Sequence, residues 1–470
     1  MTSSEQPMRS APPATSWREE LRETARLSLP MALTQLGQIA MMTTDLAMIG
    51  RLGAEAVAAA ALAHTLLFVS FALGLGLASA VSPLVAQAHG AGDARDVTRA
   101  VQAGLWTVLI TGAPLTALQL AGEPILIALG QERQTAALAG RYLAGLGWCL
   151  IPAWAFLALR GFMGALDRPM PALWITLVAI PANALLAYAL IHGALGMPRL
   201  DILGAGVATT IVNLSMLAAT AWICLRARPF AQYRLLDGIG RLDAPLMRRL
   251  LAVGLPIAGA YLLEIGVFSA AALLMGLIST TALAAHQIAL QVAAILFMIP
   301  FGVSLAATVR VGQALGQGDA RAGRRAGFVA IAMGLGVMAA LTMVIAATRH
   351  RIPGLFLGDG TAIADVAATA ELVAALLLLG VTFFMADGTQ TVAAGALRGL
   401  QDTRVPMLIA AMSFWGVGFL GAVVAGFALG LGARGVWMGL SAGLIVYAVL
   451  LVWRFDALTR HTGCMSDVRN

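Results

Sequence analysis

The sequence predicts an all-α integral membrane protein, with twelve transmembrane helices in two six-helix lobes related by a pseudo-twofold axis along the membrane normal. Three observations carry this expectation. The 470 residues are 60% hydrophobic and only 11% charged, with a mean hydropathy of +0.85, whereas a soluble domain is about one-quarter charged. Apolar runs of about 20 residues, the length a helix needs to cross a bilayer core, recur between short polar breaks. Finally, "VAQAHGAGDAR" from Val85 returns as "VGQALGQGDAR" from Val311, identical at eight of eleven positions and offset by 226 residues, close to half the chain.

The spans read as 27–50, 55–86, 100–121, 138–160, 172–192, 203–226, 248–276, 282–312, 326–347, 374–398, 405–429 and 435–455. The alternation of barrel strands is absent, so these are helices, whose backbone polar groups are satisfied internally. Residues 1–26 form a Pro- and Ser-rich charged tail without the apolar run or cleavage site of a secretory signal. Residues 27–226 make the N-lobe, 227–247 the inter-lobe linker, 248–456 the C-lobe and 457–470 a C-terminal tail. All 30 basic residues are arginine; with both termini cytoplasmic, 23 fall on the inner side and seven outside, the bias of cytoplasmic loops. The net charge of +7 thus reflects topology and contact with membrane lipids. Spread over seven loops and tails, it does not make a nucleic-acid patch.

Carried backward, the offset places Pro30 on Pro256, Gly50 on Gly276 and Val85 on Val311. Later pieces rhyme too: "GALDRPMP" from Gly164 with "GLQDTRVP" from Gly399, and "LGAGV" from Leu203 with "LGARGV" from Leu431. Six helices is an even number, so both halves start on the same side, which fixes the axis along the membrane normal. The opening motif reads as a structural turn. Gly90 and Gly316 end a helix in the left-handed conformation, and Asp93 and Asp319 cap the next.

Ionisable side chains inside membrane helices cost about 2.5–3.5 kcal/mol even on the lenient insertion scale, so they mark function. Three acids stand in apolar spans: Asp45 in "MMTTDLAMIG", Glu264 in "AYLLEIGVFSA" and Asp387 in "TFFMADGTQTVAAGALRG". None has a basic partner nearby in its own span, though an arginine from another helix is possible. Helical spacing puts Gln38, Met41 and Met48 on the Asp45 face, Tyr261 and Phe268 beside Glu264, and Phe383 or Phe384, Gln390 and Thr391 beside Asp387. Carboxylates with aromatic neighbours suit lipophilic cations through charge and cation–π attraction. Asn183, Gln287 and Gln291 either ligate a cation through oxygen or tie helices together.

Other signals are weaker. His64 and His286 lack metal-ligand spacing and read as packing or hydrogen-bonding residues. Cys149, Cys224 and Cys464 show no C-x-x-C pattern and are assigned neither disulfide nor metal. "GLSAG" at Gly439 follows no strand, so it is no nucleophile elbow. "NLS" at Asn213 lies within a span, where no glycan is attached. With no nucleophile and base and no metal cluster, an enzyme is not expected.

The stretches "TTDLAMIGRLGAEAVAA", "LVAQAHGAGD", "GLPIAGAYLLEIGVF", "TALAAHQIALQVAAILFMIPFGVSLAATVRVGQALGQGD" and "MADGTQTVAAGALRGLQDTRVPML" resemble the multidrug and toxic compound extrusion (MATE) transporters, in particular the NorM-like bacterial branch, over nearly all of residues 25–455. The resemblance implies a bacterial inner-membrane, multi-pass antiporter that exports cationic drug-like amphiphiles against sodium ions or protons. It carries the coupling acids onto Asp45, Glu264 and Asp387, with Asn183 as the N-lobe polar partner. Relatives often carry a second Asn or Asp one turn later, where this chain has Ala187. Helical spacing and polar placement, apart from the resemblance, give Gln38, Tyr261, Phe268, Phe384, Gln287, Gln291 and Gln390 as the supporting or substrate contacts. No cofactor is implied, and no metal beyond sodium at Glu264 and Asp387. The expected assembly is a monomer. The competing reading is a flippase or exporter of lipid-linked or other amphipathic metabolites on a related two-lobe plan; an anionic cargo of that kind would call for arginines inside the cleft.

Overall fold

The structure is a computed structural model that describes residues 16–356 and 366–467, with side chains through Arg460; most of the N-terminal tail and the Cys464 side chain lie outside the described residues. Long helices dominate. In chain order they are α1 (Trp17–Gly50), α2 (Ala54–Gly90, interrupted at Ala80), α3 (Ala94–Leu120), α4 (Arg133–Ala165), α5 (Met170–His192), α6 (Asp201–Arg226), α7 (Ala244–Ile278), α8 (Thr280–Gly316), α9 (Ala320–Thr348), α10 (Val366–Gly399), α11 (Arg404–Ala428) and α12 (Gly432–Asp467). Eleven of them are long and apolar enough to cross a membrane. The remaining helix, α1, carries Thr34, Gln35, Gln38, Thr43, Thr44 and Asp45 in its middle, which lowers its hydropathy below the rest. Over Ala411–Phe419 and Val424–Ala428, α11 is wound loosely as a π-helix.

Local chemistry sets the ends. At the start of α1 the backbone N–H of Ser16 donates to Glu19 Oε2 at 3.1 Å and that of Glu19 to Ser16 Oγ at 3.2 Å, a reciprocal capping box. It starts the helix ten residues before the hydropathy span. Asp93 caps α3 by accepting from the N–H groups of Arg95 and Asp96, and Asp319 caps α9 by accepting from Ala322. The left-handed residues of the repeated turn are Gly92 (φ +73°) and Gly318 (φ +78°), and not Gly90 and Gly316, which are still helical. The left-handed residue thus comes two positions later than expected in each repeat, and the Asp93 and Asp319 N–H groups bond back to the carbonyls of Ala88 and Ala314. The second rhyming turn is also repeated in geometry, with Asp167 and Gln401 left-handed at φ 60° and 59°.

The chain forms two compact units. One is Leu33–Ala258; the other joins the described residues up to Ala32 with those from Gly259 onward. Both boundaries lie inside helices, two residues after Pro30 of α1 and Pro256 of α7, where a proline removes a backbone hydrogen bond. They are 226 residues apart. Small residues allow close approach near both. A Cβ on Gly76 would come 2.5 Å from the Ala258 nitrogen, and one on Gly302 would come 2.5 Å from the Ala32 Cβ.

The first unit is packed around Trp154, Tyr142, Phe156 and Phe162, and the second around Trp437, Phe383, Phe384 and Phe455, all nearly inaccessible. In the second unit Glu20 and Arg310 form a buried two-pronged ion pair at 2.8 and 2.9 Å. The segment after α6 lies on α3 in the first unit. Gln102 donates to the carbonyls of Leu235 and Asp237 at 2.8 and 2.9 Å, Trp106 to that of Ile239 at 2.6 Å, and Arg99 to Asp243 at 2.6 Å. Hydrogen bonds from Arg99 and from the Leu246 N–H hold the Asp243 carboxyl below its usual value.

Candidate functional site

Each unit contains its own acidic cluster. In the first, α1 brings Asp45 to Asn183 of α5 and Thr209 of α6. The Asn183 amide donates to Asp45 Oδ1, and the Thr209 hydroxyl donates to Asp45 Oδ2 at 3.0 Å. Asp45 is 8% exposed and Asn183 fully buried. All three donors and acceptors come from helices, so backbone groups are occupied and the polar contacts are left to side chains. Sequence reading missed Thr209. A lone threonine in an apolar helix commonly bonds its own turn, as Thr209 also does to Ala205 at 3.1 Å, so nothing in its spacing separated it from its neighbours.

In the second unit, Gln390 of α10 donates through Nε2 to Glu264 Oε1 and to Asp387 Oδ1, at 3.1 Å in both cases. One neutral amide thereby bridges two carboxylates from different helices. Asp387 is buried and Glu264 partly so. Two close acids with a shared donor form an oxygen-rich group of the kind a hard cation takes. Phe268 is half-buried against Phe383, ring centroids 5.8 Å apart.

Two arginines that the sequence places toward helix ends send their side chains in among these helices. Arg398 of α10 is 7% exposed and donates to the Tyr261 hydroxyl and to Ser304 Oγ, both at 3.0 Å. Arg160 of α4 donates to Gln35 and, at 3.4 Å, to Gln38. The long arginine stem lets a helix-end residue reach inward, which linear spacing does not reveal.

The remaining expected contacts separate. Phe384 is 1% exposed and packs edge-on against Phe383 in the core, with its ring turned away from any surface. Gln287 and Gln291 are exposed on α8. His286 accepts from Trp437 Nε1 at 3.1 Å and stacks edge-on with it. Among the described residues no group of three or more His, Cys, Asp or Glu is arranged to hold a metal ion.

The MatE family model matches this chain twice, over residues 30–189 and again over 256–424, so that its two copies start 226 residues apart, in register with the internal repeat. The chain belongs to the MATE family. Within that family it is similar along its length to curated proteins of the NorM branch. It is 60% identical over 447 residues to "Probable multidrug resistance protein NorM" of Rhodopseudomonas palustris, covering 95% of this chain and 94% of the relative. The protein of the same name from Bradyrhizobium diazoefficiens is 58% identical over 442 residues, with 94% of each chain covered. Solved MATE structures share the fold. An outward-facing multidrug resistance MATE family transporter aligns with a TM-score of 0.84 at 19% identity, over 96% of this chain and 99% of that one. A MOP superfamily transporter from Pyrococcus furiosus aligns at 0.83 and 18%, over 96% and 100%. Membership makes the chain a multi-pass membrane transporter of a bacterial MATE branch, and not an enzyme.

Proposed function

We propose that this MATE transporter exports cationic amphiphilic compounds from the cytoplasm across the bacterial inner membrane in exchange for sodium ions or protons, with both termini cytoplasmic. The carrying observation is the Gln390 bridge between Glu264 and Asp387, an acidic pair embedded in membrane helices. The names of the NorM relatives, which refer to multidrug resistance, support the same reading.

The mechanism is competition for carboxylates. A cation on Glu264 and Asp387 neutralises the charge that a drug would use, so each bound species weakens the other, and reciprocity of coupling makes the process an exchange. Two acids from different helices suit sodium. Asp45, a single acid with Asn183 and Thr209, suits a proton or a drug contact, and Gln38, Tyr261, Phe268 and Gln390 flank the two clusters. The test is transport by purified protein in liposomes under imposed sodium or proton gradients, with wild type beside Asp45→Asn and the Glu264→Gln/Asp387→Asn double variant. Sodium-driven export that survives the double variant but vanishes in Asp45→Asn would move the ion site to α1.

One observation favours the second reading, export of an anionic amphiphile: Arg398 is a guanidinium buried inside the second unit. Three of its five N–H donors are held by Tyr261, Ser304 and the Ala394 carbonyl, so cation export is preferred. Efflux of an anionic amphiphile without efflux of a lipophilic cation would reverse the order.

A further inference from the structure

The tetrapeptide Ala-Leu-Arg-Gly occurs twice, at 158–161 and 396–399, late in α4 and α10. In each half its arginine reaches the first helix of that half, and it does so at the same register. Arg160 donates to Gln35 and Gln38, and Arg398 donates to Tyr261. Positions 35 and 38 carried forward by the 226-residue offset are 261 and 264. The repeat therefore builds one arginine seat twice. In the first unit the second position of that seat is a neutral amide, Gln38; in the second unit it is the carboxylate Glu264. Arg398 also donates through Nε to the carbonyl of Ala394 at 3.3 Å, one turn back, so its side chain folds toward the Asp387 end of α10, the direction in which helical side chains tilt. Tyr261, which receives Arg398, stands three residues before Glu264 on α7, one helical turn away.

We propose that Arg398 is a fixed counter-cation for Glu264 and Asp387: with both acids ionised it lowers the charge the pair presents from two to one, so that the site selects monocationic over dicationic cargo. This rests on the cation-export reading above. Coulomb attraction grows with the charge of the ligand. Removing one fixed positive charge therefore strengthens binding of a dication by twice as much, in free energy, as binding of a monocation, and the preference between them moves. The tyrosine, serine and backbone carbonyl that hold the guanidinium keep it from swinging onto either acid and closing the site.

The test uses the purified full chain in lipid nanodiscs and two dyes with one ring system, ethidium with one charge and propidium with two. Wild type is expected to favour ethidium. R398Q shifts the ratio of affinities toward propidium by about tenfold or more, the size of a charge effect at roughly 10 Å in a medium of intermediate dielectric, and R398K keeps the wild-type ratio. D387N leaves one acid against one arginine and loses ethidium binding. D387N/R398Q restores a single negative charge and regains it, which a merely structural role for Arg398 would not produce. A ratio unchanged in R398Q, or a double variant as weak as D387N, overturns the proposal; if R398Q does not fold, the double variant decides. Should wild type bind neither dye, the export reading fails, and the arginine is tested by calcium ions alone. Thermal stabilisation by calcium that appears in R398Q and disappears in E264Q/R398Q upholds the counter-cation, and its absence in R398Q overturns it.

Discussion

Asn183 donates its amide hydrogen to Asp45 Oδ1, while its own Oδ1, fully buried, meets no donor among the described residues. A buried oxygen without a donor costs about 1–3 kcal/mol, and a hydrogen bond to a charged group contributes about 1.5–3 kcal/mol. Replacing Asn183 by leucine removes both. The first change stabilises, but the second leaves buried Asp45 Oδ1 without its donor, with Thr209 still bonded to the other oxygen, so a net loss of about 1–3 kcal/mol is expected, whereas drug export per folded molecule falls at least about tenfold, the effect of losing roughly 1.4 kcal/mol of binding. Thermal unfolding and liposome export of the same preparation separate the two. Asn183→Leu with a collapsed melting temperature and normal export per folded molecule would contradict this.

Glu264→Gln and Asp387→Asn each keep side-chain shape while removing the charge that Gln390 now bridges. Each is expected to abolish export of a lipophilic cation and to leave membrane abundance near wild type. Efflux at matched abundance is the measurement.

The repeated turns make a stability prediction. Asp93→Ala and Asp319→Ala are expected to lose about 0.5–2 kcal/mol each, and Asn at either position to cost little, since Asn caps a helix as well as Asp. Drug affinity should not move. Melting curves beside dye titrations check both halves of the statement.

A pH prediction follows from Asp243, whose carboxyl is held low by Arg99. A depressed carboxyl contributes stability that is fully present above its unfolded value and is lost as pH falls through the lower folded value. Protease cleavage of the segment over 227–247 should therefore stay constant from neutral pH down to about 5, given an unperturbed Asp value of about 3.9, and rise only in stronger acid. Asp243→Asn should raise cleavage already at neutral pH.

Glu20 and Arg310 are both nearly inaccessible, and removing one member of a buried ion pair costs about 3–5 kcal/mol. Glu20→Gln is expected to lower the melting temperature more than either cap variant. Glu20→Leu/Arg310→Leu should recover much of the loss, because no charge is left uncompensated.

Much of this was legible in the sequence. The spans and the repeat could be read because the bilayer demands long apolar runs, and Asp45, Glu264 and Asp387 because charge in such runs is costly. The pairing of Asp45 with Asn183 and of Glu264 with Asp387 could be named as candidates. The Thr209 contact could not, since a hydroxyl that can bond its own helix carries no positional signal. The inward reach of Arg160 and Arg398 could not be read either, because a long side chain acts far from its backbone. Phe383 and Phe384 point about 100° apart on a helix, yet both are 1% exposed, because neighbours pack on α10 from two sides, and spacing alone does not show that.

The crossing of α1 and α7 from one compact unit to the other has a consequence for how this chain can be taken apart. A gene cut in the natural place, between residues 227 and 247, would not yield two autonomous modules. The upstream fragment would retain Glu20 without Arg310 and Gly76 without Ala258; the downstream fragment would hold the missing partners. Each product would carry a half-helix that fits only its sibling, as in a reciprocal strand exchange. Co-expressed, the fragments should reassemble into one transporter, while either alone should be cleared by the quality control of the cell.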